Sequence, residues 1–112
     1  SKREIVSWYS IAISKEPALL AAYHLRAIFW LQMNNPEGMI ADFDKVMELD
    51  PNEVSLRLEY ARDLEMFHLL PQARKQFNLA LAYNDQLDPA EPKRLSQQEV
   101  AAIQKEIDSL PD

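Results

Sequence analysis

Residues 39–52 read MIADFDKVMELDPN, an apolar-striped helical pattern that runs out into Asp50-Pro51. A shift of 34 residues finds the pattern again on both sides: Tyr9, Ala12 and Pro17 precede Phe43, Val46 and Pro51, while Phe77 and Ala80 follow Phe43 and Val46. Ala27 and Ala61 keep the same interval. Several independent matches in residue size at one spacing mean a repeated structural unit.

The single glycine among 112 residues excludes a hairpin-rich β fold, because tight hairpin turns need φ > 0. The chain is therefore expected to be all-α with about six helices. Proline supplies the punctuation at positions 17, 36, 51, 71, 89, 92 and 111, near helix edges where a missing N–H does no harm. The first helix is expected from Arg3 to Lys15, with Ile5, Trp8, Tyr9, Ala12 and Ile13 along one side, and the second from Ala18 to Met33. Asn34 suits a left-handed helix end, and Asn35-Pro36-Glu37 reads as a cap, a first-turn proline and an acid at the positive dipole end of a third helix reaching Leu49.

Asn52 is expected to cap a fourth helix with the stripe Leu56, Tyr60, Ala61, Leu64 and Phe67. A fifth helix spans Pro71 to Tyr83, and the proline-bearing, charged segment 84–95 is expected to be an extended connector. Ser96-Gln97-Gln98-Glu99 has the form of a capping box, after which Val100, Ile103, Ile107 and Leu110 share one helical face. A terminal helix with one apolar stripe and a polar back suits the end of a repeat stack.

Composition narrows the function classes. A net charge of −6, without Lys/Arg clusters interleaved with aromatics, argues against nucleic acid as a partner. No apolar run reaches the roughly 18–20 residues of a membrane span. The absence of cysteine excludes thiolate metal sites and disulfides, and His24 and His68 form no His-x-x-x-His pair. Asp42, Asp44 and Glu48, relieved by Lys45, are expected to form a hydrated helix face. No nucleophile elbow, phosphate loop or dinucleotide fingerprint occurs, so neither catalysis nor a cofactor or metal is expected.

On these residues the chain resembles the tetratricopeptide repeat family, whose unit is an antiparallel helix pair of 34 residues. Tyr23, Ala27, Trp30, Phe43, Val46 and Pro51 carry the resemblance in residues 20–53, and Ala61, Leu64, Ala73, Phe77 and Ala80 carry it in residues 54–87. The resemblance implies one domain over 1–112: residues 1–17 as the second helix of an incomplete repeat, two repeats, and a capping helix over 96–110. It further implies a helix-pair solenoid coiled into a right-handed superhelix. The chain's opening on a second helix leads to the expectation of a partner helix upstream in a longer protein. Arg26, Arg57 and Met39 depart from the family pattern, and His68 replaces its turn glycine.

In this family the first helices line a concave groove, which assigns to it Ala21, His24, Ile28, Leu31 and Gln32 from one unit and Ser55, Leu58, Arg62 and Glu65 from the next. Ile28, Leu31 and Leu58 would be apolar anchors for a peptide or partner protein, with Arg62 reading an acidic group. The alternative is that the apolar residues pack between helices while Arg62 pairs with Glu59, Asp63 or Glu65. Some members clamp acidic chaperone C-termini with Lys and Asn side chains. Ile28 and Arg62 occupy equivalent places here, which points away from that ligand class. A second function class is self-association into a homo-oligomer through an open edge bearing Trp8, Ile11 and Ile13, and a third is a regulatory domain of a larger enzyme or assembly factor.

Overall fold

The structure, a computed structural model, describes residues 1–111. It contains six helices and, among the described residues, no strand: α1 (Lys2–Lys15), α2 (Leu20–Gln32), α3 (Pro36–Leu49), α4 (Val54–Met66), α5 (Leu70–Gln86) and α6 (Gln97–Ser109). The chain divides into two compact units, Ser1–Pro51 and Asn52–Asp112. In the first, α2 packs against both α1 and α3; in the second, α5 packs against both α4 and α6.

Local chemistry sets the helix starts. Asn35 accepts from the Gly38 N–H at 2.9 Å, with Pro36 opening α3. Ser96 and Glu99 form the reciprocal capping box, each bond 3.1 Å long. The Ser96 backbone N–H, then its side chain, hold the Glu99 carboxyl below the ordinary carboxylate range. A depressed folded-state pKa means that this contribution is present above the unfolded value and is lost as pH falls through the folded one. Asn52 does not cap α4: the cap position is Glu53, which makes no side-chain capping bond. Lys93, from the later connector, pairs with Glu53 instead.

The two helix-pair turns use left-handed backbone without glycine: Asn34 and His68 both have φ of 57°. The only glycine, Gly38, lies inside α3, where a Cβ would sit 2.7 Å from the Trp30 indole. Its role is close approach of two helices.

The segment expected to be extended from residue 84 is different. Helix α5 continues to Gln86, and residues 87–96 form two successive turns. Glu91 N–H donates to the Asp88 carbonyl at 2.8 Å and Arg94 N–H to the Glu91 carbonyl at 3.0 Å. Pro89 and Pro92 thus occupy the second position of each turn, where their fixed φ is favoured. Buried Asn84 accepts from the Leu95 N–H at 2.7 Å, fastening the connector to α5.

The core of the first unit holds Tyr23, Ala27, Met39, Phe43 and Val46, and that of the second Tyr60, Ala61, Leu64, Ala73, Phe77 and Ala80. The α6 stripe contributes Ile103, Ile107 and Leu110. Trp8, placed by periodicity with the inward side of α1, is exposed; Val6 is the buried residue of that helix.

Asp42 is also not hydrated. It is 2% exposed and receives both Nε and a terminal nitrogen of Arg26, at 2.8 and 2.7 Å. Another Arg26 nitrogen donates to Ser10 Oγ at 3.0 Å, so one guanidinium joins α1, α2 and α3. The hydrogen bond to Asp42 is the main reason that the Arg26 pKa is raised.

Two substitutions test this packing. Helix propensity alone favours Gly38→Ala by about 1 kcal/mol, whereas overpacking costs about 1–3 kcal/mol. Gly38→Ala is therefore expected to lower the urea midpoint, and Trp30→Leu in the same chain to reverse the sign. Asp42→Ala is expected to lose about 3 kcal/mol by leaving a desolvated guanidinium, with much of the loss recovered in Arg26→Met/Asp42→Leu. Equal losses in the single and double variants would refute the ion-pair account.

Candidate peptide-binding faces

On α2, Ala21 and Gln32 are exposed, while His24, Ile28 and Leu31 are half-buried. A helix carries residues three and four apart on one side, so Ala21, His24, Ile28 and Leu31 form one stripe that ends beside Gln32. The His24 ring lies 5.8 Å from that of Phe43, centroid to centroid, and leans on the core of its unit. Ile28 and Leu31 thus each have a packed side and a remaining accessible one.

On α4 the corresponding stripe is Ser55, Leu58, Arg62 and Glu65. Ser55 and Arg62 are exposed, Glu65 is half-buried and Leu58 is only 6% exposed. Leu58 therefore belongs mainly to the packing of its unit. Arg62 does not take one of its sequence neighbours as its principal partner. Its Nε and a terminal nitrogen reach the two Glu106 oxygens on α6, at 3.3 and 3.0 Å. This bidentate bond chiefly raises the Arg62 pKa, and the charges of Glu106 and Glu65 add to it.

On α1, Trp8 and Ile11 are exposed and Ile13 is half-buried. Sequence reasoning missed a cleft of about 670 Å³ in the second unit, lined by Leu81, Asn84, Arg94, Leu95, Val100 and Gln104. The two prolines and the charges of 87–96 signalled a connector, but not that its turns would wall a cleft.

Among the described residues no group of three or more His, Asp or Glu side chains is placed to hold a metal ion. No helix among them is long and apolar enough to cross a membrane.

No family model and no curated protein matches the chain by sequence. Among solved structures, the first TPR of Spaghetti (RPAP3) bound to HSP90 peptide SRMEEVD is similar, with a TM-score of 0.65 at 14% identity, covering 96% of this chain and 81% of that one. With six helices and this likeness, the fold is that of a tetratricopeptide-like helix-pair solenoid, an all-α repeat architecture.

The Arg62 and Glu106 side chains are 51% and 37% exposed, so solvent screens their attraction. Glu106→Gln is expected to change unfolding free energy by no more than about 1 kcal/mol, and by less in 1 M salt. Chemical denaturation at two ionic strengths measures it.

Proposed function

We propose that this chain is a non-catalytic interaction module that binds a peptide segment of a partner protein along the first-helix stripes of its repeats. The observation that carries the proposal is the tetratricopeptide-like fold, shared with a domain whose structure contains a bound peptide. The tetratricopeptide fold is a scaffold for protein interaction, and its surfaces act by shape and charge.

Ile28 and Leu31 are the anchors in this proposal, since both are packed on one side and accessible on the other. Leu58 contributes a small accessible edge above the core. Arg62 orients an acidic group of the ligand. Because Arg62 already holds Glu106 through Nε and one terminal nitrogen, an incoming carboxylate competes with Glu106 for that side of the guanidinium, which lowers the net gain in affinity. Ala21, Ser55, Gln32 and Glu65 form the polar surround, and His24 supports the stripe through its contact with Phe43.

The proposed ligand is a largely apolar segment with one acidic position. The peptide SRMEEVD, bound by the RPAP3 domain, carries three acidic side chains, whereas this chain has Ile28 where a second basic contact equivalent to Arg62 would sit. That peptide is expected to bind this chain weakly.

A displayed random-peptide library, followed by titration of enriched sequences and of SRMEEVD, tests the proposal. Ile28→Ala or Leu31→Ala is expected to weaken binding by about 1–2 kcal/mol without loss of helicity. Arg62→Glu is expected to abolish the preference for an acidic position, and Glu106→Gln to strengthen binding several-fold by removing the internal competitor. Failure to enrich any sequence, or affinities indifferent to all four changes, would refute it.

A further inference from the structure

Helix α1 has two unlike sides. One side, with Val6, Tyr9 and Ser10, packs on α2: the Tyr9 and Phe29 rings stack at 6.1 Å and Ser10 accepts from Arg26. The other side is open. Trp8 is 64% and Ile11 54% exposed, and Glu4, Ser7, Ser14 and Lys15 are exposed with them. Two large apolar side chains in water on one short helix form a patch of the kind that marks an interaction surface.

The order of residues along that surface says what covers it. Glu4, Trp8, Ile11 and Lys15 follow steps of four, three and four, the spacing of a coiled-coil seam. They are also placed symmetrically about the midpoint between Tyr9 and Ser10: Glu4 lies as far before it as Lys15 lies after it, and likewise Trp8 and Ile11. A second copy running antiparallel about a two-fold axis through that midpoint therefore sets Trp8 against the other Ile11, twice, and Glu4 against the other Lys15, twice. A parallel pair would set Glu4 against Glu4 and Lys15 against Lys15. Small Ser7 and Ser14 along one flank let the helices approach closely.

We propose that α1 docks on α1 of a second copy as an antiparallel, two-fold pair, with Trp8 and Ile11 as its apolar centre and Glu4–Lys15 ion pairs closing both ends. Such an interface is isologous and self-limiting at two chains. The Glu4 side chain is 70% exposed, so its carboxylate is available to the second chain. The seam shares no residue with the α2 and α4 stripes, so dimerisation and peptide binding stand or fall separately.

Sedimentation equilibrium of the full chain from about 1 to about 500 μM tests the proposal, a range suited to an interface smaller than the roughly 1,200 Å² of a standard stable one. The apparent mass is expected to rise from 13.0 kDa toward twice that value. Trp8→Ser is expected to remain monomeric with unchanged circular dichroism, since the side chain makes little use of the fold. Glu4→Lys and Lys15→Glu should each weaken the dimer at least fivefold, while Glu4→Lys/Lys15→Glu should return to within about twofold of the wild type. Recovery in the double exchange identifies the antiparallel register, because a loss caused by damaged folding would accumulate instead. A wild-type monomer at every concentration overturns the proposal and leaves the face to another partner. A Trp8→Ser dimer, or a double exchange no better than the singles, overturns it equally.

Discussion

A guanidinium held between helices is the constraint around which each unit is arranged. Arg26 binds Asp42 through two parallel hydrogen bonds and Ser10 through a third, fixing α1, α2 and α3 at one point near the core. The second unit reaches the same end by a different route. There, Arg57 donates to Gln76 at 2.8 Å and its charge lies 4.7 Å from the centre of the Tyr83 ring. Gln76 stands 34 residues after Asp42, so the acceptor keeps its place in the repeat. The donor does not: Tyr23 and Arg26 in one unit correspond to Arg57 and Tyr60 in the other, tyrosine and arginine having exchanged places one helical turn apart. An arginine from either turn can span to the next helix because its side chain is long and carries several donors in a fixed fork.

This arrangement shows what was legible in the sequence and what was not. Asn35, Pro36, Ser96 and Glu99 act within four residues of their partners, and their roles were readable from spacing alone. The apolar repeat marked by Phe43, Phe77, Ala61 and Ala80 was equally readable, since burial of large and small residues at one interval leaves a periodic trace. Arg26 and Arg57 stood out as departures from the family pattern, but their partners lie 16 and 19 residues away on neighbouring helices. Asp42 was misread because its local setting, with Asp44, Lys45 and Glu48, is that of a solvated face. Lys45 in fact pairs with Glu48 at 3.3 Å, leaving Asp42 for the interior. Arg62 belongs to the same class: its partner Glu106 is 44 residues downstream, beyond any inference from helical periodicity.

The C-terminal region shows how a connector with two prolines can be rigidly placed. Each proline begins the bend of a turn closed by a backbone hydrogen bond, and Asp88 adds a side-chain bond to the Ala90 N–H at 2.8 Å. Asn84 fastens the connector at one point, and Arg94 reaches the Leu87 carbonyl at another. Beyond α6, Arg74 donates to the carbonyls of Leu110 and Pro111 at 3.3 and 3.0 Å. The helix that supplies Glu106 to Arg62 is thus tied at both ends, so that the hydrogen-bond partner of a candidate recognition residue comes from an element far away in sequence.

The exchange of tyrosine and arginine between the two units has a consequence for folding. Repeated chains risk pairing a helix with the wrong copy of its neighbour, because the apolar stripes are nearly interchangeable. Here an α2 laid against α5 would bring Arg26 to Gln76, losing the charged acceptor that Asp42 supplies in its own unit. The polar contacts act as a key that distinguishes two otherwise similar apolar locks. Averaging the two units into a consensus would erase that distinction, and the resulting chain would have gained regularity while losing the information that tells each helix which neighbour is its own.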